Sequence, residues 1–357
     1  MKKILKNKKF WLYSSIVYLL IAVFFVFFGN AISIKLDAAG QIIKKIPKLD
    51  KSEYDRRTYM LAGYSTTSYA ALLAATTTST STKPSLWPVK TVYPLAGAIL
   101  PFNRIVAYYG NLLSTSMGAL GQYPEDEMLT KLQAEVDKWT AADPETPTIP
   151  ALQYIVVTAQ GRPGDDGKYR LRMPDTEIDK VIKMAQKING LVFLDIQVGQ
   201  STIQDELPLL EKYLIMPNVH VAIDPEFSMK NGRKPGVYVG TYDASEINYV
   251  IDYLANLVKE NKLTPKIFVV HRYIEEMVTN YKLIKTVPEV QIVMDMDGWG
   301  PAENKLITYD KYIYKQPVQF TGFKLFYKND LWKPSTGMMT PAEILKLVPK
   351  PIYIQYQ

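Results

Sequence analysis

Residues 191–227 read LVFLDIQVGQSTIQDELPLLEKYLIMPNVHVAIDPEF and contain the repeating unit of the chain. Two short apolar runs, LVFLDIQVG and VHVAIDPEF, each end in polar residues, and a helical segment lies between them. Six similar runs follow Asn103: RIVAYYG, LQYIVVTAQ, KIFVVHRY, VQIVMDMDG, FTGFKLFY and PIYIQYQ. Eight strands that alternate with seven helices over roughly 255 residues predict a (β/α)8 TIM barrel. An open doubly wound sheet is the alternative, but AYYGNLLSTSMG lacks its Gly-x-Gly-x-x-Gly turn.

The connections predict which end of the barrel carries a site. Segments before strands are short, as in LIMPNV and KTVPEV, whereas segments after strands are long, as in GRPGDDGKYRLRMPD and FSMKNGRKPGVYVGTYD. Binding sites of such barrels lie at the carboxyl ends of the strands, where the loops that follow the strands gather. We therefore expect the functional residues on that face, within a barrel domain that spans residues 101–357.

The first 33 residues have the pattern of a membrane anchor. Five lysines in MKKILKNKK precede an uncharged run from Phe10 to Ser33. About 20 apolar residues cross a bilayer as a helix, and lysines keep their side cytoplasmic. We expect a single-pass signal-anchor in the cell membrane, with the barrel outside. A signal peptide cleaved near Gly29-Asn30-Ala31 is the alternative.

Residues 34–100 are predicted to form a flexible stalk, because they include the low-complexity stretch STTSYAALLAATTTSTSTKPS. The net charge of +7 comes from the N-terminal part of the chain: residues 1–58 hold 12 Lys and Arg against 4 Asp and Glu, which leaves −1 for the rest. The chain has no Cys and two His, which excludes disulfides, Cys-ligated metals, a thiol nucleophile and a His-rich metal site.

Strand alternation selects the side chains that face the barrel interior. It predicts that three strands end with inward carboxylates: Asp195, Asp224, Glu226, Asp295 and Asp297. On the remaining strands it selects Gln160, His271 and Lys324, and Gln197 follows Asp195 on the same face. Orientation is ambiguous on strands one and eight, where Tyr109 and Gln355 or Tyr356 are the candidates. Each carboxylate alone has a structural explanation, such as an ion pair between Asp195 and Lys324.

The carboxylates indicate acid–base chemistry. Crowded carboxylates raise one another's pKa, which keeps one of them protonated near neutral pH as a general acid. Asp224 and Glu226 are predicted as such a pair at positions i and i+2, with Asp295 and Asp297 as the second pair. The nearby aromatic residues Trp299, Tyr109, Tyr273 and Trp332 would stack on a sugar ring, although ordinary packing explains any single aromatic residue equally well.

Two resemblances follow from these residues. From about Leu86 to the end, the chain resembles bacterial secreted or lipid-anchored barrel proteins of unassigned function, in pieces such as TAQGRPGDDGKYRLRM, LDIQVGQS, AIDPEFSM, MDMDGWG and IQYQ. Lipid-anchored relatives would need a Cys, which this chain lacks. The site is also similar to that of chitinase-type glycosidases, which have Asp-x-Glu on strand four and Met-x-Tyr-Asp on strand six. Asp224 and Glu226 match the first motif, whereas Met296 replaces the Tyr of the second and Ala222 replaces a further Asp.

The favoured function is a glycoside hydrolase that acts on an envelope or extracellular glycan without a cofactor. Glu226 would be the general acid, Asp224 its partner, and Asp295 or Asp297 the nucleophile, base or stabiliser. The remaining mouth residues would bind the glycan: Tyr109, Gln160, Asp195, Gln197, His271, Trp299, Lys324 and Tyr356. One alternative is a non-catalytic glycan-binding or scaffold barrel. The other is a metal-dependent hydrolase or phosphodiesterase with oxygen ligands. Nucleic acid is not expected as a partner.

Overall fold

The structure is a computed structural model that describes residues 46–75 and 85–357. Eight parallel strands form a closed barrel, because the first strand pairs with both the second and the last. The strands are β1 Arg104–Gly110, β2 Thr148–Ala159, β3 Leu191–Ile196, β4 Val219–Ile223, β5 Lys266–Arg272, β6 Val290–Met296, β7 Phe320–Leu325 and β8 Tyr353–Tyr356. The prediction of a (β/α)8 barrel is therefore confirmed.

The helices surround the barrel and precede it. They are α1 Lys51–Leu61, α2 Thr66–Ala75, α3 Ala119–Gln122, α4 Glu125–Ala142, α5 Asp175–Lys187, α6 Ile203–Glu206, α7 Glu211–Leu214, α8 Ala244–Asn261, α9 Ala302–Thr308 and α10 Pro341–Ile344. Helix α8 begins with a capping box formed by Asp243 and Glu246, and α10 with one formed by Thr340 and Glu343. Both boxes satisfy backbone N–H groups that have no partner within the helix.

One of the seven predicted helices is missing. The connection from β5 to β6 contains only the 3₁₀ turns Glu275–Met277 and Tyr281–Leu283. Between these turns, Val278–Thr279 forms a short strand that pairs with Tyr242–Asp243, and Asn280 follows with a φ of 56°. The strand pairing and the left-handed residue interrupt the helical pattern of hydrogen bonds, so the chain cannot continue as a helix there.

The barrel has two apolar layers that follow the predicted alternation of side chains. Outward residues such as Val221, Leu194 and Met294 pack against the helices in one large cluster. Inward residues such as Ala222 and Val293 form a second, smaller cluster inside the lower barrel. The inward-facing side chains are therefore apolar at the lower end of the barrel and polar at the carboxyl ends of the strands. This change positions the site at the upper end.

The described part of the predicted stalk packs against the barrel. Residues 48–357 form one compact unit, and Tyr54 of α1 lies in the inner cluster beside Leu100. Trp87 is buried and donates its indole N–H to the carbonyl of Tyr314 at 2.9 Å. The amino-terminal end of a barrel exposes its apolar floor, and α1 covers this floor. This part of the predicted stalk therefore has a packing role, which the low-complexity stretch of the stalk did not indicate.

Within the described ranges, no helix is both long and apolar enough to cross a membrane. The predicted anchor, Phe10–Ser33, and its Lys-rich tip lie outside the described residues, as do residues 34–45 and 76–84 of the predicted stalk.

Gly322 on β7 provides a test of interior packing. A Cβ at this position would overlap the carboxylate oxygen Oδ1 of Asp295, so we expect Gly322→Ala to lower the free energy of unfolding by about 1–3 kcal/mol. Urea-induced unfolding measures this difference. Gly161→Ala is the control, because its Cβ would have no neighbour within 4 Å. The Gly322→Ala cost should shrink in an Asp295→Ala background, and an unchanged cost would contradict the proposed overlap.

Candidate active site

A cavity of about 360 Å³ opens at the carboxyl ends of the strands, and we call it the mouth cavity. Three carboxylates and one lysine line it: Asp224, Glu226, Asp297 and Lys324. Its other lining residues are Tyr109, Ser116, Met117, Ile155, Ala159, Gln197, Phe227, Tyr273, Trp299, Phe326, Asn329 and Gln357. The composition is that of a site for a polar ligand with flat apolar faces, because aromatic rings and carboxylates alternate around one space.

Asp224 and Glu226 reach the cavity from a turn. Strand β4 ends at Ile223, and Pro225–Phe227 forms a 3₁₀ turn. The Asp224 carboxylate accepts the backbone N–H of Glu226 at 3.0 Å, which fixes the turn. The expectation that both carboxylates belong to one strand is therefore corrected: the proline starts the turn, and the Asp224 cap aims Glu226 into the same cavity.

Gln197 connects Asp224 to the neighbouring strands. Its amide nitrogen donates to the hydroxyl of Tyr109 at 3.1 Å and lies 3.4 Å from Asp224 Oδ2, while its oxygen accepts the backbone N–H of Ala159. Since the amide oxygen is held by the backbone, the amide N–H groups must point at the acid and the phenol. Gln197 thereby fixes Asp224 in one orientation.

Asp297 is held by two cations. Lys324 Nζ lies 2.8 Å from its Oδ1, and His271 Nδ1 lies 3.0 Å from its Oδ2. Burial alone would raise the pKa of Asp297, but Lys324 and His271 outweigh burial and lower this pKa to about 2. Asp297 is therefore a carboxylate throughout the physiological pH range.

Below the cavity, buried polar contacts continue across the barrel. We call this set the polar chain: Lys324, Asp297, His271, Asp195, Gln153 and Tyr353. His271 Nε2 lies 3.0 Å from Asp195 Oδ2, Gln153 donates to that same oxygen, and the Tyr353 hydroxyl donates to Gln153. Burial lowers the pKa of His271, but Asp297 and Asp195 raise it by more than burial lowers it. The pKa of His271 therefore lies well above its ordinary value. The two carboxylates therefore favour the protonated form of His271.

The pKa values of Asp224 and Glu226 are shifted in the opposite direction from that of Asp297. Burial raises the pKa of Asp224 well above its ordinary value, against a lowering influence of His271. Burial and then the Asp297 charge raise the pKa of Glu226, which Lys324 and a hydrogen bond from Tyr273 lower only in part. The cavity thus combines one permanent carboxylate with two acids that retain protons to higher pH.

Asp295 lies deeper than the other predicted catalytic residues. It is fully buried, does not line the cavity, and its Oδ2 lies 3.6 Å from His271 Nδ1. Neither carboxylate oxygen has a hydrogen-bond partner among the described residues. Burial raises the pKa of Asp295 to about 7, because the neighbouring His271 charge only partly compensates for the loss of water.

The structure divides the twelve predicted site residues into three groups. Seven line the mouth cavity: Tyr109, Gln197, Asp224, Glu226, Asp297, Trp299 and Lys324. Three lie beneath it and are fully buried: Asp195, His271 and Asp295. The remaining two, Gln160 and Tyr356, are not among the lining residues.

Gln160 and Tyr356 are misplaced for different reasons. A β-bulge between Ile155 and Val157 breaks the alternation of β2, so counting by two past it fails. The Gln160 side-chain amide donates to the carbonyl of Thr158 near the end of β2 at 3.4 Å. On β8, Tyr353 faces inward, which turns Tyr356 to the outer layer, where its hydroxyl accepts from Trp139 Nε1 at 3.0 Å. Of the two candidates on β8, Gln355 shares the inward parity.

Sequence reasoning missed Gln153 and Tyr353 of the polar chain. Gln153 lies two residues after the inward Ala151, so alternation before the bulge indicates it. The contact between Tyr353 and Gln153 crosses 200 positions and has no local signal.

Across residues 46–75 and 85–357, no group of three His, Asp or Glu side chains is arranged to hold a metal ion. The carboxylates instead contact Lys324, His271 and amide or backbone N–H groups.

Comparisons with known proteins give structural neighbours of low identity. No protein-family model matches the chain, and no curated protein matches its sequence. The Bacillus subtilis mannanase man26 has a TM-score of 0.37 and 13% identity over 75% of this chain and 88% of its own. The Bacillus subtilis mannanase BCman has a TM-score of 0.33 and 12% identity over 72% and 81%. Likenesses of this size carry no argument about the reaction, which must come from the site itself.

Asp295 predicts a specific pH dependence of stability. The unfolded chain ionises this group near its ordinary pKa of 3.8, and the folded protein ionises it at about 7. Between these two pH values, Asp295 is protonated in the folded state and ionised in the unfolded state. Rising pH therefore lowers the free energy of unfolding of the wild type through this group, and Asp295→Asn does not show this loss. The variant should therefore gain stability relative to the wild type from about pH 4 to about pH 7, by a few kcal/mol in order of magnitude, and no further above pH 7.

Chemical unfolding at a series of pH values measures this gain. Asp165→Asn on an exposed loop is the control, and it should change the free energy of unfolding by less than about 0.5 kcal/mol across the series. If the difference in the free energy of unfolding between Asp295→Asn and the wild type stays constant from pH 4 to pH 8, the raised pKa of Asp295 is contradicted.

Proposed function

We propose that this chain is a glycoside hydrolase in which Glu226 is the general acid and Asp297 is the carboxylate that acts on the sugar. The observation that carries the proposal is that two carboxyl groups on one cavity have opposite surroundings. Asp297 contacts Lys324 and His271, which lower its pKa to about 2, whereas burial raises the pKa of Glu226. Glycoside hydrolysis needs one protonated and one ionised carboxyl group on either side of the scissile bond.

In this mechanism Glu226 donates its proton to the glycosidic oxygen as the bond to the anomeric carbon breaks. Asp297, held ionised by Lys324 and His271, stabilises the positive charge that develops on the sugar, by attack on the anomeric carbon or by activation of a water molecule. Asp224 keeps the turn that carries Glu226 in place through the Glu226 N–H. The polar chain supplies the charges that keep Asp297 in its ionised form.

Aromatic side chains favour a sugar as the ligand. Trp299 lines the cavity and is half exposed, and it packs edge-on against Trp332 at 5.0 Å between ring centroids. Tyr109 and Tyr273 line the same space. Exposed indole faces beside carboxylates suit the apolar faces and hydroxyl groups of a pyranose ring.

The N-terminal sequence supports a location at the cell membrane. The uncharged run from Phe10 to Ser33, with lysines before it, would hold the chain in the bilayer and place the barrel outside the cytoplasm. The proposed substrate is accordingly an envelope or extracellular glycan.

Glu226→Gln should lower the rate of glycan hydrolysis by about 10²–10⁴-fold, because the amide cannot donate the proton. Glu276→Gln is the matched control, since Glu276 is exposed on the loop after β5 and does not line the cavity. Release of reducing ends from a panel of polysaccharides measures the rate. Full activity of Glu226→Gln would refute the assignment of the acid.

Tyr273→Phe should move the alkaline limb of the pH–rate profile to higher pH. The Tyr273 hydroxyl donates to Glu226 and lowers its pKa, so without that bond Glu226 retains its proton to higher pH. The acid limb should not move, because it follows Asp297. An alkaline limb that moves to lower pH, or does not move, would contradict the role of Tyr273.

Deletion of residues 1–33 should move the chain from the membrane fraction to the aqueous fraction, because the apolar run is lost. Deletion of residues 34–45 is the control and should leave the chain in the membrane. Cell fractionation with added protease measures both the attachment and the side. A mature chain that begins near Ala31 would instead indicate a cleaved signal peptide.

A further inference from the structure

A cluster of unpaired cations lies beside the mouth cavity, and we call it the basic rim: Arg162, Lys168, Arg233 and Lys234. These residues come from two connections that we call loops: 160–172 after β2, which includes the short strand Arg170–Arg172, and 228–242 after β4, which ends in the short strand Tyr242–Asp243. Together the loops hold seven Lys and Arg and two acidic residues, Asp165 and Asp166. The chain from residue 59 to the end carries only −1, so this local excess is hidden in the overall charge.

The two loops are joined into one surface through the short segment after β3. Gln200 donates its backbone N–H to the carbonyl of Lys168 at 2.7 Å and its side-chain amide to the carbonyl of Arg233 at 2.8 Å. The Met229 N–H donates to the carbonyl of Gly199 at 2.8 Å. These bonds hold the cations of both loops on the same side of the mouth.

The basic rim is distinguished from neighbouring cations by its lack of ion pairs. Arg170 and Arg172 bind the buried Glu206 at 2.7 and 2.6 Å, and Lys230 binds Glu246 at 2.5 Å. In the part of the chain that the structure describes, no carboxylate lies within 4.0 Å of the side-chain nitrogens of Arg162, Lys168, Arg233 or Lys234. All four side chains are exposed. Their charges are therefore available to a ligand.

The basic rim and the exposed tryptophans lie on nearly opposite sides of the mouth cavity. Strand order places the loops after β2 and β4 on either side of β3, and the loops after β6 and β7, which carry Trp299 and Trp332, about half a turn away. Both sides reach the cavity, through Ala159 and Phe227 on one side and Trp299 and Asn329 on the other. A chain that crosses the mouth would contact the tryptophans, the carboxylates and the cations in turn.

We propose that the substrate is an anionic glycan, whose carboxylate or phosphate groups bind the basic rim while an adjacent sugar occupies the mouth cavity. The proposal rests on the proposed hydrolase function and names its substrate class. Charge complementarity carries it: the cavity holds its own carboxylates against Lys324 and His271, so an acidic group is accommodated on the rim and not between Asp224, Glu226 and Asp297. Two tyrosine rings add flat faces beside the cations. Lys234 Nζ lies 5.9 Å from the ring centroid of Tyr169, and Arg233 Cζ lies 5.1 Å from that of Tyr238.

Binding is measured with the full-length Glu226→Gln chain, which does not depend on turnover. The probes are polygalacturonate, a glycerol phosphate polymer and a neutral glucan of similar length, each at low and high salt. The rim variants are Arg162→Gln/Lys168→Gln and Arg233→Gln/Lys234→Gln. Lys183→Gln/Lys311→Gln is the matched control, because both lysines are exposed and remote from the cavity lining.

Each rim variant should bind the acidic polymers about three- to tenfold more weakly, the control should bind as the parent does, and the difference should shrink at high salt. Tighter binding of either acidic polymer than of the glucan supports the proposal, and the tighter one identifies the acidic group. Binding of the neutral glucan as tight as that of the acidic polymers, or an equal loss of binding in the control variant, would overturn it. Full hydrolytic activity of Glu226→Gln would refute the hydrolase and leave the binding result intact.

Discussion

A buried histidine held between two carboxylates, which favour its protonated form, is the interaction on which the upper half of this barrel depends. His271 lies 3.0 Å from both Asp195 and Asp297, and all three side chains are almost or wholly without solvent. Removing one partner of such a group leaves an uncompensated buried charge, which costs about 3–5 kcal/mol. Strands β3, β5 and β6 are therefore tied together by electrostatics where apolar packing ends. Lys324, Gln153 and Tyr353 extend the ties to β7, β2 and β8.

The same constraint sets the chemistry of the cavity. Cations that satisfy the buried acids are concentrated on the side of β5 to β7, so Asp297 receives two of them. Asp224 and Glu226 receive amide, backbone and phenol donors instead. Neutral donors stabilise a carboxylate less than a cation does. The pKa of Asp297 is therefore lowered, whereas the pKa values of Asp224 and Glu226 are raised. One closed barrel thus holds, within a single cavity, a permanent carboxylate and two acids whose pKa values are raised.

Charge is distributed unevenly over the molecule on two scales. Residues 1–58 carry an excess of +8, of which the five lysines of residues 1–9 supply +5. The basic rim is a separate feature, since its four cations lie on two loops of a barrel region that is nearly neutral as a whole. The net charge of +7 therefore describes neither the N-terminal segment nor the barrel region.

The sequence by itself determined the eight strands, their closure into a barrel and the inward direction of Asp195, Asp224, Asp295 and Asp297. These features follow from local rules, because alternation within a strand and the length of each repeat are encoded by adjacent residues. Only the tertiary structure decided which inward groups reach the cavity, because His271, Asp195 and Asp295 lie one level below it. The bulge in β2, the parity of β8 and the packing of α1 against the barrel floor likewise depend on contacts between distant segments. Such contacts arise only when the strands close, so no pattern of neighbouring residues specifies them.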